Sequence, residues 1–122
     1  MELNGLYQRV REKLVMSYNK YKNKKSNGFD SKKERNRYQE LLLMQRAGVI
    51  TGLERQVKFE LIPPQPKANL RATNYYADFC YWQEGRFVVE DVKGYKKGNA
   101  YQLFMIKKKL MYQRYGYLIK ET

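Results

Sequence analysis

A chain of 122 residues has the length of one domain, large enough to bury a core and too short for two. With 25 Lys and Arg against 12 Asp and Glu it carries a formal charge of +13, and 43% hydrophobic and 15% aromatic residues exclude a disordered chain. Such an excess suits a polyanionic partner, above all a nucleic acid, although an anionic membrane or an acidic protein would also be attracted. The absence of histidine excludes Ser-His and Cys-His triads and imidazole metal sites, and a lone Cys80 excludes an internal disulfide or a thiolate zinc site. Any catalysis then rests on carboxylates, lysines, tyrosines and a hard cation such as magnesium.

No apolar run approaches the roughly 18–20 residues of a membrane span, and MELNGLYQRVREK lacks the apolar stretch of a secretory signal, so a cytoplasmic protein is expected. Leu3, Leu6, Tyr7, Val10, Leu14, Val15 and Tyr18 recur at helical spacing and predict an amphipathic helix whose stripe needs a partner. The following YNKYKNKKSNG places Lys20, Lys22, Lys24 and Lys25 beside Tyr18 and Tyr21. That pattern suits phosphate contact and base stacking, and equally a solvated linker.

A second helix is predicted over 29–48, with Asp30 or Ser31 as N-cap, Ser31 and Glu34 as a capping box, and Gly48 as its stop. Val57, Phe59 and Leu61 alternate with Gln56, Lys58 and Glu60 in a first strand that PPQP (63–66) ends. Strands over about 72–82 and 86–93 follow. A helix over 96–116, capped near Asn99, turns Leu103, Ile106 and Leu110 inward and Lys107, Lys108, Lys109 and Arg114 mostly outward; YLIKE makes a short last strand. The chain therefore divides into an N-terminal helix (1–19), a basic linker (20–28) and a mixed α/β core of the α+β kind (29–122), within a single domain.

YYADFCYW (75–82) reads as a buried strand with Asp78 in its middle, and a buried carboxylate is costly unless compensated. If Glu84 and Gly85 form a two-residue turn, Trp82 lies opposite Phe87, Asp78 opposite Asp91 and Tyr76 opposite Lys93. Alternation then puts Asp78, Asp91 and Lys93 on one face. A bulged turn at Gly85 would bring Glu90 opposite Asp78 instead. Either acidic pair needs a countercharge, from a divalent cation or from Lys93. Glu34, at the start of its helix's inward stripe, either caps that helix or joins the acids. Three carboxylates and a lysine suit metal-assisted phosphodiester hydrolysis, with one or two Mg²⁺ on the acids and Lys93 beside the attacking water or the developing charge on phosphorus. In the plainer account Asp91 and Lys93 form an ordinary ion pair.

YYADF and VVEDVKG resemble the signature of the restriction-endonuclease-like PD-(D/E)XK superfamily, with Asp91-Val92-Lys93 as the D-X-K triplet. Ala77 stands where the signature has proline, and Glu90 beside Asp91 leaves two acids for one role. Glu34 looks like the additional acid that many members supply from their first core helix. The predicted order from residue 30 is that superfamily's core, helix-strand-strand-strand-helix-strand around a mixed four-stranded sheet, here preceded by an extra helix. Together with KYKNKKSNGFDSKKERNRYQEL, these motifs are similar to a group of small phage proteins, in arrangement like archaeal Holliday-junction resolvases and the endonuclease subunit of a cut-and-paste transposase.

The resemblance covers about 20–120 and implies a Mg²⁺- or Mn²⁺-dependent DNA endonuclease. Asp78 and Asp91 would be metal ligands, with the Val92 carbonyl and Glu34 (directly or through water) completing the set and Glu90 the alternative to Asp91. Lys93 would be the catalytic lysine, and Gln56 is similar to a glutamine near the site in some relatives, an exposed strand glutamine being the other account. Phosphate contacts are expected from Lys20, Lys22, Lys24, Lys25, Lys107 and Lys108. Branched DNA is the expected substrate, cut by a homodimer that the N-terminal helix joins. The rivals are a nickase or end-processing nuclease indifferent to junctions, and a non-catalytic DNA-, RNA- or host-factor-binding phage protein in which the acids are structural.

Overall fold

A computed structural model of the protein describes residues 31–94 and 96–122; the expected helix over 3–18 and Lys20, Lys22, Lys24 and Lys25 lie outside the described residues. The elements run α1 (Lys32–Arg46), β1 (Thr51–Ile62), a 3₁₀ turn (Pro66–Ala68), β2 (Thr73–Gln83), β3 (Arg86–Asp91), α2 (Gly98–Tyr115) and β4 (Lys120–Glu121). Neighbours β1, β2 and β3 are antiparallel, and β4 pairs parallel with β3 at the sheet edge. Such a parallel pair requires a crossover, which α2 supplies. The mixed α+β class and four-stranded mixed sheet expected from the sequence are those of the folded chain. Among the described residues no helix is long and apolar enough to cross a membrane.

Local chemistry explains the boundaries. Ser31 is extended and its Oγ accepts the Glu34 N–H at 3.1 Å, which supplies the N-cap of α1; Gly48, at φ 80°, lies just past its end. Glu84 (φ 52°) and Gly85 (φ 76°) are both left-handed, the requirement of a tight two-residue hairpin turn, and the strands meet with Trp82 opposite Phe87 and Phe79 opposite Glu90. The bulged alternative is not adopted. The paired rungs end there; just beyond them the Val92 N–H reaches Asp78, which brings Asp78 and Asp91 together at the end of the ladder.

The two helices cover opposite faces of the sheet. Leu41, Ile50, Phe79 and Tyr81 form the core under α1, where Tyr38 stacks on Phe79 at 5.9 Å. Val57, Phe59, Tyr75, Cys80, Phe104 and Met111 lead the core under α2. Within β2, Tyr81 and Phe79 face α1 while Ala77 and Tyr75, which share their parity, face α2. In β1, Leu53 and Arg55 lie on the α1 side and Val57 and Phe59 on the α2 side. Both strands change face at one place, where Gln56 and Asp78 stand between the paired rungs Arg55–Phe79 and Val57–Ala77. The cause is Gln56 at φ 53°, a left-handed residue inside a strand.

Several expectations are corrected. β1 starts at Thr51, upstream of the regular alternation, β3 stops at Asp91 and β4 is only Lys120–Glu121. α2 begins at Gly98 with Lys97 as N-cap and no side-chain cap bond, so Asn99 is not its cap. Its inward face is led by Phe104 and Met111, and Leu110 packs against the same core as expected, whereas Leu103 and Ile106 are 53% and 54% exposed. Aromatic bulk decides this: Phe104 meets Tyr75 and Tyr101 at 6.3 and 5.8 Å.

Candidate functional site

The change of face lets side chains from both layers converge on Asp78. Asp78 Oδ2 accepts the Val92 N–H at 2.8 Å, and Oδ1 accepts from Gln56 Nε2 at 3.3 Å. The same Gln56 nitrogen donates to Glu34 Oε2 at 3.0 Å. Gln56 is thus a buried amide between two carboxylates, held in a backbone conformation that costs a non-glycine residue on the order of 1–3 kcal/mol. From the α2 side, Asp91 Oδ1 accepts the Tyr75 hydroxyl at 2.8 Å and Oδ2 pairs with Lys93 Nζ at 2.9 Å. The Lys93 ammonium also lies 3.5 Å from the centroid of the Phe104 ring. Thr122 holds the main chain on both sides of Val92, accepting from Lys93 N at 2.8 Å and donating to Asp91 O at 3.0 Å. The Lys33 ammonium donates to the Lys93 carbonyl.

Electrostatics single out Asp78. Burial, then the charges of Asp91 and Glu34, push its carboxyl up to about 7, and the bonds from Val92 and Gln56 only partly offset them. Tyr75 is driven far above its ordinary value by burial and then by Asp91, so it stays a neutral donor to that carboxylate. An all-oxygen, anionic donor set of Asp78, Asp91, Glu34 and the Val92 carbonyl fits a hard divalent cation, which would relieve the charge crowded on Asp78. Among the described residues no three acidic or cysteine side chains stand as a ready ligand cluster, with Asp91 turned onto Lys93 and Glu34 onto Gln56.

Residues 16–121 match the family model described as Protein of unknown function (DUF1064). The chain belongs to the DUF1064 family. No curated protein and no solved structure matches it. In this DUF1064 chain the match spans both described helices, all four strands and every residue of the acid group.

The alternative ligand Glu90 stands apart from that group. It is fully buried, accepts from Arg37 Nε at 2.6 Å, Arg37 Nη2 at 2.9 Å, the Tyr81 hydroxyl at 2.8 Å and Thr122 Oγ1 at 3.1 Å, and has no lone pair left for a cation. Burial opposes its ionisation, but the bonds from Arg37 and Tyr81 win and hold its carboxyl below the ordinary value. The acid that faces Asp78 is Asp91. Of the two lysines expected on α2, Lys108 has its Nζ 2.5 Å from Glu121 Oε2, an ion pair that ties α2 to β4, and Lys107 is half-buried. Lys93 has no place opposite Tyr76, which is 40% exposed; the tyrosine at the site is Tyr75. Strict alternation from Asp78 points to Tyr76, so only the change of face brings Tyr75 in.

Proposed function

We propose that this DUF1064 protein is a metal-dependent DNA endonuclease of the PD-(D/E)XK type. The observation that carries the proposal is the meeting of Glu34 from α1, Asp78 from β2 and Asp91 and Lys93 from the end of β3, with Asp78 electrostatically overloaded at their centre. Asp78, Asp91, the Val92 carbonyl and Glu34 would hold Mg²⁺ or Mn²⁺. Such an ion, when bound, acidifies a water and polarises a phosphate oxygen.

The chain's own groups set the rest. Lys93, steadied by Asp91 and the Phe104 ring, supplies a cation where charge develops on the phosphoryl oxygens. Tyr75 keeps Asp91 oriented, and Gln56 keeps Glu34 and Asp78 apart and aimed. The net charge of +13 draws in DNA, through contacts that weaken as salt rises. Phosphate contacts by Lys20, Lys22, Lys24 and Lys25 are part of the proposal, as is a homodimer acting on branched DNA.

Substrate choice is tested by comparing cleavage of a four-way junction with cleavage of linear duplex of the same sequence. Faster cutting of the junction, with paired symmetric nicks, is expected; equal rates would point to a nicking or end-processing nuclease. The Asp91–Lys93 ion pair also favours a second reading, a DNA-binding module in which that pair is structural. Binding of DNA with no cleavage under Mg²⁺ or Mn²⁺ would establish it.

A further inference from the structure

On the sheet face opposite Asp91 and Lys93, Arg37 and Glu90 join the helix that carries Glu34 to the strand that carries Asp91. Arg37 follows Glu34 by about one turn of α1, and Glu90 immediately precedes Asp91. Two parallel bonds, Nε to Oε2 at 2.6 Å and Nη2 to Oε1 at 2.9 Å, form a fork, and Arg37 Nη1 is spent on Glu40 at 2.9 Å. Tyr81 and Thr122 fill the remaining sites on the Glu90 carboxylate.

A buried ion pair of this kind is weak evidence of stabilisation, because apolar residues of similar volume commonly serve as well. What a fork adds over apolar contact is a fixed distance and orientation. That matters here because the apolar contacts of α1 begin only at Tyr38, stacked on Phe79, and continue at Leu41 and Met44, so its first turn, which carries Glu34, has no apolar anchor of its own. We propose that Arg37 and Glu90 are positioning residues, whose fork fixes the first turn of α1 on the end of β3 and thereby sets Glu34 against Gln56 and Asp78. The consequence for cleavage rests on the nuclease proposal; the consequence for geometry does not.

The experiment replaces the fork by an apolar pair, Arg37→Met with Glu90→Leu, and reads three quantities. These are the melting temperature, the NMR cross-peaks between the Gln56 side-chain amide and the Glu34 methylenes, and single-turnover cleavage at saturating DNA. The expected result is a melting temperature like the parent's, loss of the Gln56–Glu34 cross-peaks, and a cleavage rate lower by about a hundredfold with unchanged DNA affinity. A stable double variant that keeps the cross-peaks overturns the proposal. Should the double variant fail to fold, Arg37→Lys decides, since lysine keeps the charge but cannot form the fork: weakened cross-peaks support the positioning role and parental ones refute it. If the parent protein cuts no DNA, the nuclease proposal fails by itself and the cross-peaks alone judge the positioning role.

Discussion

Arg37→Ala is expected to destabilise the protein by about 3–5 kcal/mol, because it strands a fully buried carboxylate without its cation. Native stability of small domains is about 5–15 kcal/mol, so this one change removes a large fraction of it. Glu90→Ala should cost less: Arg37 is 19% exposed and keeps Glu40, so it can turn toward water, leaving mainly an unpaired Tyr81 hydroxyl. The contrast has a pH signature. In the parent, Glu90 has a lowered carboxyl, so its contribution is present above the ordinary value of 4.5 and is lost as pH falls through the folded value. In Arg37→Ala the stranded acid escapes its penalty by taking up a proton, so the stability gap to the parent should narrow as pH falls toward about 4. Urea unfolding across that range measures it, and a gap that stays constant with pH would show that the Glu90 charge is not the cause.

Asp78→Asn should behave in the opposite sense. With its carboxyl raised from 3.8 to about 7 in the folded protein, Asp78 binds a proton more readily folded than unfolded, so stability declines as pH rises between those values. The roughly three pH units involved, at about 1.4 kcal/mol each, set a ceiling near about 4 kcal/mol. Asparagine is nearly isosteric with the protonated acid and still accepts from Val92. The variant should therefore match the parent near pH 4 and exceed its stability near pH 8. Magnesium or manganese should raise the parent's melting temperature near pH 8 and leave Asp78→Asn almost unmoved. Equal stability of the two proteins at both pH values would mean that Asp78 carries no excess charge.

Where chemistry is local, the sequence was legible. Ser31 and Gly48 bounded α1 to within a few residues, and Glu84-Gly85 dictated a register that sets Asp78 against Asp91 and leaves Glu90 on the other face. Legibility ended where backbone regularity ends. One left-handed residue, Gln56, inverts the inward parity of β1, and β2 inverts beside it, so Tyr75 rather than Tyr76 reaches Asp91. No alternation pattern encodes that, since Gln56 alone gives no sign of a positive φ. In α2, a face with Leu103 and Ile106 and the face led by Phe104 and Met111 are both spaced for a helix, and only the aromatic surface beneath chooses between them. Arg37 and Glu90 lie 53 residues apart, a pairing that tertiary packing creates and no local motif announces.

The most direct measurement is the cutting of DNA by the purified protein with Mg²⁺ or Mn²⁺, set beside Asp91→Ala under the same conditions. Asp91 holds both Tyr75 and Lys93, and its loss removes one of the acids on which the proposed chemistry depends. Metal-dependent cleavage by the parent, slowed on the order of 10²–10³-fold in a folded Asp91→Ala variant, is the expected outcome. A parent that never cuts with either metal, or an Asp91→Ala variant that cuts as fast as the parent, would contradict it.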